Sequence, residues 1–250
     1  MASITEIATG VYRINVVLPD RPVSFSLFLL DDDDPTLIET SFASVFDEVK
    51  LAVESVVDLN KIKHIVVPHF EGDECGGLNK FLAAAPNAVA VCSPIRSRAI
   101  RDFTGKEPLV IADGQELATG LRKLRFFLTP YVHAWDSLLA VEETDGTFFS
   151  SDLFIQPGHG KALTYEDLSE QMIDLYRRTG LMPSMAHIRA ALEKMKDLEI
   201  KTIACHHGSA LSGDLEPYYR AIWEQDFTGL PESASYSKPV SYTHLRAHET

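Results

Sequence analysis

The stretch His69-Phe70-Glu71-Gly72-Asp73-Glu74 offers one imidazole and three carboxylates within six residues. It follows the apolar run Ile65-Val66-Val67-Pro68. A β-branched run that breaks at a proline before such a loop reads as a strand ending in metal ligands, and the loop is expected to nucleate a two-metal site. His133, Asp152 and His207 lie downstream, with 63, 18 and 54 residues in the successive gaps from His69, and each is expected to close a strand. Strand ends are where side chains from distant segments converge on one cleft.

The elements that would position these residues can be followed along the chain. Residues 4 to 40 alternate in a β manner through Ile7, Val11, Ile14 and Val16, then Ser24 to Leu30, with Asp31 to Asp34 and Pro35 as a solvated acidic turn. Val45, Val49, Ala52, Val53 and Val56 recur at helical spacing across 44–57. A strand over 62–67, a short helix over 76–85, a strand over 88–92 and a helix over 94–103 follow. The segment 121–128 alternates like a half-buried strand, and 138–142 with 147–152 forms a second hairpin around Thr144-Asp145-Gly146. Helices are expected over 164–178, from a Thr164 cap to Gly180, and over 184–198. A strand over 201–205 then leads into His206-His207-Gly208, with a last helix over 214–225. Strand, ligand-bearing loop, helix is the recurring order.

At 250 residues, 45% hydrophobic and 24% charged, the chain can bury a core without staples. A net charge of −13 argues against nucleic acid or an anionic membrane as partner, since both need clustered Lys and Arg. Cys75, Cys92 and Cys205 form no CxxC pair, which favours a reducing compartment. The start lacks a signal-peptide pattern and no run has the roughly twenty apolar residues of a membrane span, so a cytoplasmic location is expected. The expected organisation is one domain over 1–228, a polar tail over 229–239, and an end over 240–250 that resembles a translated sequencing adapter. His244 and His248 are therefore discounted as ligands.

The ligand pattern resembles the β-lactamase-like domain of flavodiiron proteins and of related stand-alone oxygen-binding di-iron proteins. Those families carry His-x-Glu-x-Asp, a distant His, a bridging Asp, and a final His followed by Gly. Here the motif stands as His69-x-Glu71-x-Asp73, His133, Asp152 and His207-Gly208, and the resemblance spans roughly residues 4 to 225. It implies a metallo-β-lactamase fold of the α/β (α+β) class, an αββα sandwich of two mixed sheets flanked by helices. It also implies a non-haem di-iron centre with an oxo or hydroxo bridge. His69, Glu71 and His133 would hold the first iron, Asp73 and His207 the second, and Asp152 would bridge them.

Glu71 stands where hydrolases of this fold mostly carry a second His, and a carboxylate-rich N/O set suits iron or manganese better than zinc. The residue after Asp73 is usually His in the family and is Glu74 here, which could ligate the second metal, face solvent or relay protons. His206 competes with His207 as ligand, and the following Gly favours His207. Tyr131, Trp135 and His206 are candidates to surround the ligands, although core packing is the commoner role for such aromatics. His64, His159 and His187 read as structural, and Cys75 and Cys205 as buried inert thiols.

The resemblance implies an oxidoreductase that binds and reduces O2 or NO. Electrons would come from a separate flavodoxin- or rubredoxin-like donor, unless a following flavodoxin-like domain has been lost by truncation. Head-to-tail homodimers are usual in flavodiiron proteins because they bring one chain's flavin to another's irons, an argument that weakens without that domain. The alternatives are an O2 sensor or carrier without turnover, and a dinuclear zinc hydrolase of the same superfamily.

Overall fold

The computed structural model describes residues 2–228. The tail segments 229–239 and 240–250, with His244 and His248, lie outside the described residues.

The first sheet runs in chain order. Its strands are β1 (Ser3–Ala8), β2 (Val11–Val17), β3 (Ser24–Leu30), β4 (Thr36–Ile38), β5 (His64–Val66), β6 (Val89–Cys92) and β7 (Leu109–Val110). Strands β1 to β4 pair antiparallel, and β4 to β7 pair parallel. The crossovers carry α1 (Phe46–Glu54), the single turn α2 (Gly72–Cys75), α3 (Leu78–Ala84) and α4 (Ser97–Thr104).

The second sheet contains β8 (Glu116–Ala118), β9 (Lys123–Leu128), β10 (Leu138–Glu142), β11 (Thr147–Ser151), β12 (Leu163–Thr164), β13 (Thr202–Cys205) and β14 (Ala210–Ser212). Its order is β12-β14-β13-β11-β10-β9-β8, with β11–β13 and β12–β14 parallel and the rest antiparallel. Outside it pack α5 (Ser169–Thr179), α6 (Met185–Met195) and α7 (Glu216–Glu224).

Strand β3 shows why the sheets stack. All seven of its residues are buried, so both faces must be covered, and successive side chains point to opposite faces. Phe25, Leu27 and Leu29 face α1, α3 and α4, whereas Phe28 and Leu30 face the other sheet. In β10 the same alternation sends Leu139 and Val141 toward the α5–α7 layer and Leu138 and Ala140 inward. Three apolar layers result, one between the sheets and one beneath each set of helices. This is the αββα sandwich of two mixed sheets, a metallo-β-lactamase-like fold.

Two local expectations shift. The helix expected from Thr164 starts at Ser169, because Thr164 belongs to β12 and its hydroxyl accepts from the Glu166 amide, while Asp167 accepts from the Ser169 amide. The acidic turn is more than solvated. Asp32 accepts from the Thr119 hydroxyl and from the Leu121 and Arg122 amides, tying the β3–β4 turn to the β8–β9 turn.

Candidate metal centre

Parallel pairing sets where the polar residues gather. Strands β4 and β5 run side by side, so Glu39 just past β4 and His69 three residues past β5 emerge at the same sheet end. In the other sheet, parallel β11 and β13 deliver Asp152 and His206-His207 at their shared C-terminal ends. The two ends are stitched together, with the Ser26 amide donating to the His206 carbonyl at 2.8 Å and the Leu138 amide donating to the Pro68 carbonyl at 2.8 Å. His133 departs from expectation. It sits within the connection from β9 to β10 rather than closing a strand, held by turn bonds from Val132 to Thr129 and from Tyr131 to Ala134.

Three groups of ligand-type atoms form there, each within 4.8 Å: His69, Glu71, His133 and Asp152; Asp73, His206 and His207; and Glu39, Glu74 and His206. Asp152 spans the first two. Its Oδ2 lies 3.0 Å from Nε2 of His133 and 3.5 Å from Nε2 of His69, while its Oδ1 lies 3.5 Å from Nε2 of His207. Nε2 of His69 is also 3.1 Å from Oε2 of Glu71. Asp73 Oδ2 is 3.7 Å from Nε2 of both His206 and His207.

The opposite ring edges of three histidines are occupied. Nδ1 of His207 donates to the Ser24 carbonyl at 2.9 Å, Nδ1 of His206 donates to Glu39, and Nδ1 of His69 meets Glu74 Oε2 at 2.8 Å. Fixing Nδ1 leaves Nε2 free to take a metal, the usual way a partner selects the tautomer of a ligating histidine. Glu74 thus lies on the far side of His69 from the Nε2 cluster, and its Oε1 accepts from the Ser151 hydroxyl.

The charges are balanced by proximity. Burial opposes the cation of His69, yet Glu74, Glu71 and Asp152 push its pKa up to about 11. Burial likewise opposes the His133 cation, and Asp152 and Glu71 raise it to about 9. Despite its burial, Asp152 is held well below the usual carboxylate range by His133, His207 and His69, and His133 and His69 do the same for Glu71. His207 moves the other way, lowered by burial and by His206 beside it. The raised imidazoles and the lowered carboxylates face one another at the spacing of groups that could share a metal ion, and the mixed N/O donor set fits divalent first-row metals.

The surroundings are tightly built. Ser151, immediately before Asp152, adopts a left-handed φ of 49°, and Glu39 has φ 70°. Non-glycine residues in that region cost about 1–3 kcal/mol each and persist where surrounding contacts hold them. Gly208 has φ 83°, and a Cβ there would meet Gln156 Oε1 at 2.6 Å, so glycine after His207 is required by space as well as by conformation. Buried Arg13 donates to the Gly208 and Lys161 carbonyls and to Ser26 Oγ and Asn15 Oδ1, clasping β2 to the loops behind His207. Asp136, also buried, accepts from the Phe70 amide and from Arg96, steadying the loop after His69.

Tyr131 and Trp135 are 46% and 51% exposed, so they are rim residues rather than core. Arg96 stacks 5.0 Å over the Trp135 ring, and Tyr131 meets His187 edge-on. His64 pairs with Thr36, His159 with the Arg21 carbonyl, and His187 with its helix-capping Ser184, all consistent with structural roles. Cys75 and Cys205 are buried thiols, both pushed up to about 12 by desolvation. Glu39, Arg13 and Asp136 escaped sequence reasoning. Glu39 gave no motif, although a lone acid at the end of the apolar run Thr36-Leu37-Ile38 is a signal that it turns into the interior.

Two mixed sheets between helical layers, with imidazoles and carboxylates gathered at one end of both, define a metallo-β-lactamase-like fold with a candidate metal centre. A family model described as ODP family beta lactamase matches residues 24–208, and the chain belongs to that family. Among curated relatives, it is 24% identical over 202 residues to the nitric oxide reductase of Moorella thermoacetica, covering 75% of this chain and 49% of the relative. It is 28% identical over 136 residues to the rubredoxin-oxygen oxidoreductase of Megalodesulfovibrio gigas, covering 53% and 34%. The crystal structure of the flavodiiron protein from Giardia intestinalis superposes with a TM-score of 0.77 at 27% identity, covering 89% of this chain and 58% of that one. The chain spans about half the length of the curated relatives it matches, for example 50% of a flavo-diiron protein from Clostridium acetobutylicum. Among the described residues, no helix is long and apolar enough to cross a membrane.

Proposed function

We propose that the site holds two iron ions and that the protein binds and reduces a small diatomic, O2 or NO, with electrons from a separate donor. The observation that carries this reading is the division of Asp152, whose Oδ2 faces His69 and His133 while its Oδ1 faces His207. One carboxylate turned toward two ligand groups is the arrangement a bridging ligand needs. His69, Glu71 and His133 would hold one ion and Asp73 and His207 the other. When bound, the ions would supply the electron transfer to the diatomic.

The chain's own part is to shape and wall the site. Glu71 contributes an anionic oxygen beside two imidazoles, which favours iron or manganese over an imidazole-rich zinc site. The Ser24 carbonyl and Glu74 fix the ring orientations of His207 and His69. A mostly apolar recess of about 150 Å3, lined by Val23, Ile155, Leu175 and Leu181 among others, reaches His207 and would suit a small uncharged molecule. A larger recess of about 550 Å3 between α6 and α7 is lined by none of these ligand residues. The relatives named for nitric oxide and for oxygen and rubredoxin support the same reading.

The test is metal analysis of protein expressed with ample iron, followed by O2 and NO consumption with a reductant and a rubredoxin- or flavodoxin-type donor. Two irons per chain with steady consumption is the expected result. Binding spectra without consumption would identify a sensor or carrier. Full zinc occupancy with hydrolytic activity would overturn the di-iron reading.

A further inference from the structure

His206 was the competitor that lost to His207 on the strength of the following glycine, yet its surroundings are those of a ligand. It is completely buried, and its Nε2 has no hydrogen-bond partner. Buried polar atoms are rarely left without a partner, because the desolvation they suffer is then uncompensated, so the atom calls for an explanation. The nitrogen points at Asp73 Oδ2 from 3.7 Å, the same distance at which Nε2 of His207 approaches that oxygen. That separation is too long for a hydrogen bond and is the spacing of two donors around a shared centre.

The ring has no freedom to be there by accident. Its backbone amide donates to the Ser151 carbonyl at 2.9 Å and its carbonyl accepts from Ser26 at 2.8 Å, pinning the residue between the sheets. Its Nδ1 donates to Glu39, itself 1% exposed and held at a left-handed φ of 70°. Phe25 closes the space beside both imidazoles, edge-on at 6.0 Å to His206 and 5.2 Å to His207. A carboxylate behind Nδ1 and a vacant Nε2 in front is how a protein aims an imidazole at a metal.

We infer that adjacent His206 and His207 both ligate the second metal together with Asp73, with Glu39 as the positioning residue behind His206. This rests on the two-metal reading above and assigns that site one more imidazole than the sequence pattern implies. Glu39 acts only through His206.

The inference can be read by proton NMR of protein loaded with Co(II) alone, without turnover. Each histidine bound through Nε2 shows a strongly shifted, exchangeable Nδ1 proton. Four such signals are expected from the intact chain, for His69, His133, His206 and His207. His206→Gln should remove one and weaken binding of the second Co(II) at least roughly ten-fold. Glu39→Gln, which keeps the shape of the buried pair, should keep four signals while moving one and speeding its solvent exchange. Three signals in the intact chain, unchanged in His206→Gln, would overturn the inference and leave the two-metal reading standing. Fewer than two Co(II) bound per intact chain would overturn both.

Discussion

Nδ1 of His69 lies 2.8 Å from Oε2 of Glu74, and both side chains are almost wholly buried, at 2% and 1% exposure. The contact explains why the sixth residue of the ligand loop is an acid: α2 rotates position 74 inward behind the imidazole while Glu71 stays in front of it. Truncating one member of a buried charged pair typically costs roughly 3–5 kcal/mol. Glu74→Ala should therefore lower the stability of the metal-free chain by that order, read as the urea midpoint. Glu74→Gln should still take up two metals per chain, with affinity weakened roughly 10- to 100-fold. Loss of one metal in Glu74→Gln would instead make Glu74 a ligand.

Asp152 turns one oxygen toward each ligand group, so its removal affects both. Asp152→Ala is expected to abolish the paired site, with metal per chain falling to one or none after reconstitution and gel filtration. Retention of two metals in that variant would refute the bridge.

The pH dependence of the metal-free protein follows from the raised histidines. The neighbouring carboxylates push His69 up to about 11 and His133 up to about 9 in the folded chain, against about 6.5 when unfolded. Raised cationic groups contribute stability that is full below the unfolded value and lost as pH climbs through the folded one. The melting temperature of the metal-free chain should therefore fall between pH 7 and 10. Metal affinity should move oppositely, rising over that range, because binding displaces these protons. Calorimetric titrations in buffers of different ionisation enthalpy would count them, and absence of proton release at pH 7 would contradict the assignment.

Arg13 holds the Gly208 and Lys161 carbonyls from a strand far away in the chain. Arg13→Met keeps much of the volume but leaves both carbonyls unsatisfied, at about 1–3 kcal/mol each. Uptake of the second metal should suffer more than the first, since the clasp lies behind His207. Stepwise metal titration distinguishes this from general destabilisation, which would weaken both equally.

What could be read from sequence was what is local. His69, Glu71 and Asp73 share one loop, and helices α1, α3 and α6 announce themselves by apolar spacing in Val49 and Val53, Leu78 and Leu82, and Ile188 and Leu192. The direction of Glu74 was not legible, because it depends on how a four-residue helix is held against Thr40, just past β4. Glu39 was invisible as a partner of His206, since 167 positions separate them and only the stitching of the two sheets brings them together. His133 was expected at a strand end and lies in a tight connection instead, where turn hydrogen bonds and a single Val132–Ala134 bridge, not a strand, aim it.

The parallel pairing of β11 with β13 also sets an order in time. A growing chain that has emerged through Asp152 already holds His69, Glu71 and His133, but His206 and His207 are synthesised last and enter the sheet between β11 and β14. The residues of the first group thus all precede β13 in the chain, while His206 and His207 reach Asp73 and Asp152 only through the pairing of β13 with β11.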